Sequence, residues 1–430
     1  MSAAKPQTLE RANIGAFVVI ASLFLFWGVA NGLNGVLVKT LRKAFTLNFT
    51  QAVLIDTAFY LGYFVFAIPA SLFMRRYGYK STLVFGLVLY GAGALLFFPA
   101  SELRVYAFFL GALFVIASGL AFLETSANPL ISVMGPPETA ERRLNFAQAF
   151  NGFGPISAAL IGRFVILSNV EYTPEQLAAM PQDQAAHYFR SEAHAVQLPY
   201  VALGVVVLLW ALLVVSVKFP AIAAGEANAP RTSFAPLFKH GRYLFGVAAQ
   251  FFYVGAQAGV WGLTILYAQH AVPGLHEQSA AYAYLAGLVC FLVGRFVGAW
   301  LMGVIAPTTL LAAFSGASVV LMIGAAFLSG YAGLAALVAT YFFMSIMFPT
   351  IFASSIRGLG ALVKPASSFL IMAIIGGATL PQIMGRIADS TQNVQLAMLL
   401  PALCFAVILA FALSSRSGPV RQVETAPAGP

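Results

Sequence analysis

The stretch Gly119–Pro136, "GLAFLETSANPLISVMGP", lies in an apolar segment that extends from about residue 105 to residue 134. A membrane-spanning helix needs roughly 20 predominantly apolar residues, and this segment exceeds that length. It nevertheless carries a carboxylate, Glu124, and four residues later an amide, Asn128. The length predicts a transmembrane helix, and the polar pair predicts a face that is turned away from lipid.

Composition extends this prediction to all 430 residues, because 60% of them are hydrophobic and only 9% are charged. A soluble globular chain is about 25% charged. The apolar runs are too long and too uniform for barrel strands, so helices are the expected spanning elements. The sequence therefore predicts an all-α polytopic membrane protein. Its net charge of +9 is attributed to basic cytoplasmic loops, and no nucleic-acid partner is expected.

Twelve segments are long and apolar enough to span a bilayer. Their approximate limits are 13–38, 50–74, 81–99, 105–134, 144–167, 196–217, 243–269, 280–304, 308–328, 331–356, 366–388 and 396–414. A stretch rich in Pro, Ala and Gly divides them six and six. We predict an N-terminal six-helix bundle over 1–217, a cytoplasmic linker over 218–241, and a C-terminal bundle with a short tail over 242–430.

Basic residues and a weak internal repeat indicate how these bundles are arranged. If both termini are cytoplasmic, most Lys and Arg residues outside the spans lie on the cytoplasmic side. "ASLFMRRYGYKSTLVFG" (70–86) and "AWLMGVIAPTTLLAAFS" (299–315) join corresponding spans of the two halves. Two pseudo-symmetric six-helix bundles are the layout of many secondary transporters, whose substrate site lies near the midplane between the halves.

Glu124 is the first candidate functional residue. It lies about eleven residues before the Gly135-Pro136 break, which corresponds to about 16 Å along a helix and a position near the bilayer centre. A charge there costs on the order of 3 kcal/mol or more, so we expect the side chain to face the protein interior. A carboxyl group that takes up and releases a proton is what a proton-coupled carrier needs. The alternative is a permanently protonated Glu124 that bonds a neighbouring helix.

Amide side chains recur in the spans of the N-terminal half. The candidates are Asn31 and Asn34 in span one, Asn128 in span four, and Gln148 and Asn151 in span five. Amides both donate and accept hydrogen bonds, which suits an uncharged ligand rich in hydroxyl groups. The alternative is hydrogen bonding between helices. Gly28 and Gly32 in span one are better explained by close helix packing.

The C-terminal half is more aromatic. Gln250, Tyr253, Gln257 and Trp261 share one face of span seven, and Gln257 and Trp261 are candidate sugar contacts. The alternative for this stripe is ordinary packing or contact with lipid. A second acid, Asp56, lies in the outer third of span two, where it either lines a wetted vestibule or binds a proton.

No enzymatic constellation is present in the sequence. We find no Ser/His/Asp set, no metal-ligand spacing and no phosphate loop, and we therefore expect neither catalysis nor a cofactor or metal. Cys290 and Cys404 both fall within apolar segments and are expected to pack there. A sugar sensor is a further alternative, but the linker and tails are too short for a signalling domain.

Several long motifs resemble the fucose/galactose/glucose–proton symporter family of the major facilitator superfamily. They include "LETSANPLISVMGP" (123–136), "RLNFAQAFNGFGPI" (143–156), "FFYVGAQAGVW" (251–261) and "IIGGATLPQIMGRIAD" (374–389). The resemblance covers nearly the whole chain. It implies a twelve-helix fold with alternating access and proton-driven uptake of L-fucose or a related hexose across a bacterial inner membrane. It also implies that Glu124 carries the proton and that Gln148 and Asn151 contact the sugar.

The chain departs from the family pattern at three positions. Gly32 and Gly35 stand where the pattern has an asparagine and an aspartate, and Leu266 stands where it has an arginine. Asp56 is our candidate for a substitute acid. An uncoupled sugar facilitator, or a carrier with an altered substrate, remains the alternative function. The expected partners are a sugar, a proton and the lipid bilayer, and the expected state is a monomer.

Overall fold

A computed structural model describes residues 11–47, 49–166, 172, 176, 179–219 and 233–415. Among the described residues of its first half, up to Ser216, there are eight α-helices. They are α1 (Arg11–Ala44), α2 (Phe49–Leu95), α3 (Phe97–Leu103), α4 (Tyr106–Val133), α5 (Ala140–Ala149), α6 (Phe153–Ile161), α7 (Gln182–Ala195) and α8 (Gln197–Ser216).

The second half, from Gly241 to Ser414, contains eight more. They are α9 (Gly241–Ala271), α10 (Glu277–Leu301), α11 (Pro307–Phe327), α12 (Gly330–Met344), α13 (Met347–Ile356), α14 (Val363–Met372), α15 (Gly376–Thr391) and α16 (Leu399–Ser414). Part of the predicted linker, residues 220–232, lies outside the described residues.

Eleven helical stretches of the described chain are long and apolar enough to cross a membrane. One of them contains two spans, because α2 is interrupted at Gly78, whose backbone has φ 80° and ψ 174°. A glycine tolerates this positive φ, and the interruption separates spans two and three. The predicted all-α, twelve-span fold is confirmed.

Three spans are discontinuous near their middle. Span five is divided into α5 and α6 by a tight 3₁₀ turn at Phe150–Gly152. Span ten changes from α12 to α13 around Ser345, and span eleven contains a 3₁₀ turn at Ala373–Ile375 between α14 and α15. Such breaks free backbone carbonyls and are tolerated inside a membrane where protein or a cavity surrounds them.

Small residues allow close packing inside the first half. A Cβ atom added at Gly28 would collide with the backbone of Asn151, and one added at Gly154 would collide with Gly28. One added at Gly32 would collide with α6 at Pro155 and Ala158. These contacts confirm the packing role predicted for Gly28 and Gly32, and they bring α1 against the broken part of span five.

The two halves meet along two sets of helices. On one side, α5 packs against α10 and α13, and on the other, α14 packs against α2 and α4. The broken spans five, ten and eleven all contribute to this meeting of the halves. The irregular backbone is therefore concentrated where the halves face each other.

Candidate functional site

A cavity of about 170 Å³ lies between the two halves. The first half contributes more polar groups to its wall than the second. The wall consists of Phe24, Trp27, Asn31, Tyr60, Tyr63, Glu124, Gln148, Asn151 and Pro155 from the first half, and Val254, Gln257, Ala258, Trp261, Arg295, Phe348 and Ile374 from the second. The cavity is thus polar on one side and largely aromatic and aliphatic on the other.

Glu124 reaches this cavity from α4. Its Oε1 atom accepts a hydrogen bond of 3.0 Å from the hydroxyl of Tyr63, which is 1% exposed and comes from α2. Sequence reasoning missed Tyr63 as a site residue. Asp56, Tyr60 and Tyr63 follow one another at spacings of four and three, and this helical periodicity is the signal that could have identified both tyrosines.

Gln148 is fixed by hydrogen bonds to both halves. Its Nε2 atom donates to Oδ1 of Asn128 at 2.8 Å. Its backbone oxygen and its Oε1 atom accept hydrogen bonds of 2.9 and 3.1 Å from Nη1 of Arg295, on α10. The side-chain amide of Gln148 therefore has a defined orientation at the cavity wall.

Arg295 is a buried cation that bonds to the backbone at two of the helix breaks. Its Nε atom donates to the carbonyl of Ser345 at 2.8 Å, at the break between α12 and α13. Its Nη1 atom donates to the carbonyl of Gln148, close to the break between α5 and α6. The guanidinium also lies 4.8 Å from the ring centre of Phe291. Sequence reasoning could not assign the two carbonyl partners, because they lie on distant segments.

The other candidates occupy different positions around the cavity. Asn31, Asn151, Gln257 and Trp261 lie on the wall, as Glu124 and Gln148 do. Asn128 is completely buried behind Gln148 and is not a wall residue. Trp261 packs against the rings of Phe291 and Tyr341, with centroid distances of 5.3 and 6.2 Å.

Asn34 and Asp56 form a separate pair beside the cavity. Nδ2 of Asn34, on α1, donates to Oδ1 of Asp56, on α2, at 2.6 Å. Neither residue lies on the cavity wall. A Cβ atom added at the nearby position Gly35 would meet no heavy atom within 4 Å. This pair joins α1 to α2 through the acid of span two.

A polar ladder bonds α5 to the second half at one end of the cavity. Glu141 contacts Nη2 of Arg357 at 3.2 Å and Oγ of Ser354 at 3.3 Å. Nδ2 of Asn145 donates to Oγ1 of Thr350 at 2.9 Å. This polar ladder consists of Glu141, Asn145 and Gln148 on α5 and their partners Arg295, Thr350, Ser354 and Arg357 in the second half.

The ladder is regular on both sides. Glu141, Asn145 and Gln148 are spaced by four and three residues along α5, and the same spacing relates Thr350, Ser354 and Arg357 along α13 and its end. Residues at these spacings share one face of a helix. The facing sides of α5 and α13 therefore join the two halves. Gln148 is the member of the ladder at the cavity, and Arg357 is the member at the opposite end.

Comparisons with known proteins agree with this architecture. The model of the Major Facilitator Superfamily matches residues 16–359. The chain is 43% identical over 409 residues to the L-fucose-proton symporter of Escherichia coli (strain K12), covering 94% of this chain and 93% of that protein. It is 35% identical over 411 residues to the glucose/galactose transporter of Brucella abortus (strain 2308), covering 95% and 96%.

A solved structure has the same arrangement of helices. The crystal structure of the transporter FucP, in the outward conformation, superposes with a TM-score of 0.86 at 42% sequence identity. The match covers 94% of this chain and 99% of that one.

Proposed function

The chain belongs to the Major Facilitator Superfamily, and from this premise we propose that it is a secondary active transporter that carries a monosaccharide together with a proton. Its relatives bear the names L-fucose-proton symporter and glucose/galactose transporter. We therefore propose L-fucose, or a related hexose such as galactose or glucose, as the sugar. The protein is a transporter and not an enzyme.

One observation carries the proposal: an acid and several amides share the wall of a cavity between two halves of a membrane protein. Glu124 lies on that wall with Gln148 and Asn151. The carboxyl group is the proposed proton carrier, and the amides can donate to and accept from sugar hydroxyls. Asn31, Gln257 and Trp261, on the same wall, are the other proposed sugar contacts.

Residues next to the wall are proposed to support it. Asn34 and Asn128 act from behind the sugar contacts, and Asp56, bonded to Asn34, is a proposed second proton-binding residue. Gly35 has no carboxyl group to offer, so an acid on the adjacent helix α2 is the available substitute.

Transport would proceed by alternating access, with the two halves rocking about the cavity. We place the polar ladder on the cytoplasmic side, where it closes the cavity while the opposite side is open. Both termini are then cytoplasmic, in a bacterial inner membrane.

We divide the chain into bundles at 1–217 and 242–430 joined by a linker at 218–241, and propose that it works as a monomer.

Sugar uptake into membrane vesicles tests this function. We expect labelled L-fucose to accumulate when the medium is more acidic than the lumen, with unlabelled galactose and glucose tested as competitors. Glu124→Gln should abolish accumulation yet retain exchange of labelled for unlabelled sugar. A Glu124→Gln protein that still concentrates sugar would contradict the assignment of Glu124.

An uncoupled facilitator is the second candidate, and the absence of an acid at Gly35 favours it. The two functions differ in proton movement. A symporter makes a weakly buffered medium more alkaline when sugar is added to de-energised cells, whereas a facilitator leaves the pH unchanged.

A further inference from the structure

Asn128 occupies a position between the proposed proton site and the proposed sugar site. It lies on α4 one helical turn after Glu124 and is completely buried. Its Oδ1 atom accepts the hydrogen bond from Nε2 of Gln148. Because Asn128 is not a wall residue, it can affect a sugar only through a neighbour.

The other end of the same amide has no partner. Nδ2 of Asn128 is buried and donates to no acceptor among the residues that the structure describes. A buried donor without an acceptor is costly, so its presence calls for an explanation. Glu124, one helical turn earlier, is the neighbouring acid with which this amide interacts, and the hydrogen bond of good geometry that Glu124 accepts comes from Tyr63.

We propose that Asn128 is a positioning residue that couples the proton on Glu124 to sugar binding at Gln148. When Glu124 releases its proton to water in the cavity, the carboxylate accepts a hydrogen bond from Nδ2 of Asn128. The amide moves toward Glu124, and its bond to Gln148 weakens. Sugar therefore binds more tightly when Glu124 is protonated. By the same coupling, bound sugar raises the affinity of Glu124 for its proton.

The charged and titratable groups that face Glu124 are unchanged when Asn128 is replaced. Tyr60 and Tyr63 face the cavity from α2, and Arg295 faces it from α10. Apart from Glu124 itself, the other wall residues carry no ionisable side chain. A loss of pH dependence in an Asn128 variant therefore reports on Asn128 rather than on removal of a charge.

The test is the affinity for L-fucose at acid and alkaline pH, measured by calorimetry on the purified full chain in lipid nanodiscs. The proposal rests on the proposed function, so the wild-type protein is measured first. Couplings between sites are typically about 5–150-fold. For the wild type, we expect the dissociation constant for L-fucose at alkaline pH, divided by that at acid pH, to fall in this range. In Asn128→Ala the ratio should approach 1 while L-fucose still binds.

Matched variants separate coupling from folding. Ser132→Ala changes a buried serine one turn further along α4, whose hydroxyl donates to the backbone carbonyl of Asn128, and it should keep the wild-type ratio. If Asn128→Ala unfolds at a lower temperature than the wild type, Asn128→Ser is measured in its place. Asn128→Ala and Gln148→Ala should be non-additive in L-fucose affinity, because one acts through the other.

Distinct outcomes overturn the two proposals. A wild-type pH ratio in Asn128→Ala or Asn128→Ser, or additive effects with Gln148→Ala, overturns the role of Asn128. A wild-type protein whose L-fucose affinity does not depend on pH, and is the same in Glu124→Gln, overturns proton coupling itself.

Discussion

A tyrosine from a neighbouring helix holds the carboxyl group of Glu124 at the cavity. Tyr63 donates to Oε1 at 3.0 Å, and a phenol can also accept a hydrogen bond from a protonated acid. The same pair of residues therefore accommodates Glu124 with or without its proton. The bond is therefore compatible with the proposed proton carrier, and the accumulation assay on Glu124→Gln separates that role from a structural one.

At Asp56, proton binding can be distinguished from a structural role. Asp56→Asn should lower the accumulation of sugar driven by a pH gradient, because the amide cannot bind a proton in the same way. The measurement is the steady-state ratio of internal to external labelled sugar in vesicles.

Asn34→Ala is the matched control, because it removes the 2.6 Å hydrogen bond to Asp56 but leaves the acid. Asn34→Ala should weaken sugar affinity, because Asn34 supports the sugar contacts, but at saturating sugar it should still accumulate sugar because the acid remains. If Asp56→Asn accumulates sugar as well as the wild type does, Asp56 serves only to join α1 and α2.

At the scale of elements, the helix breaks account for the position of the cavity. The breaks in spans five, ten and eleven lie beside the wall residues Asn151, Phe348 and Ile374. Apolar length predicted the spans, and small residues predicted the close packing of α1. Neither feature predicts a break whose freed carbonyls are satisfied by a distant residue such as Arg295.

The polar ladder should control which side of the cavity is closed. Asn145→Ala removes the 2.9 Å hydrogen bond to Thr350, and a hydrogen bond contributes about 0.5–1.5 kcal/mol. We expect the ratio of molecules with the ladder open to molecules with it closed to rise by about 2- to 13-fold. This is the same energy range expressed as a change in the equilibrium constant. A cysteine at Ala140, at the start of α5, should then react faster with a membrane-permeant maleimide in a Cys290→Ser, Cys404→Ser background.

Three further variants test this interpretation. Thr350→Ala should have the same effect as Asn145→Ala, and the double variant should add nothing to either. Ser318→Ala, in a buried serine that bonds within α11, should leave the labelling rate unchanged. Equal labelling of Asn145→Ala and the wild type would show that this bond does not hold the halves together.

At the scale of the molecule, the two walls of the cavity differ in polarity, as the residues of the two halves predicted. Amides and the acid Glu124 come from the first half, whereas the second half contributes mainly aromatic and aliphatic side chains with Gln257 and Arg295. The contact of Gln148 with Asn128 and Arg295 could not be predicted in the same way, because it depends on how three helices meet.

The proposed orientation of the whole molecule rests on the distribution of its basic residues, and it can be tested at two exposed positions. Gln184 lies on α7 and Lys239 lies just before α9. With both termini cytoplasmic, Gln184→Cys should react with a membrane-impermeant maleimide in intact cells, in a background without Cys290 and Cys404. Lys239→Cys should react only after the cells are permeabilised. The reverse pattern would place the polar ladder outside, and sugar would then have to enter from the side that the ladder closes.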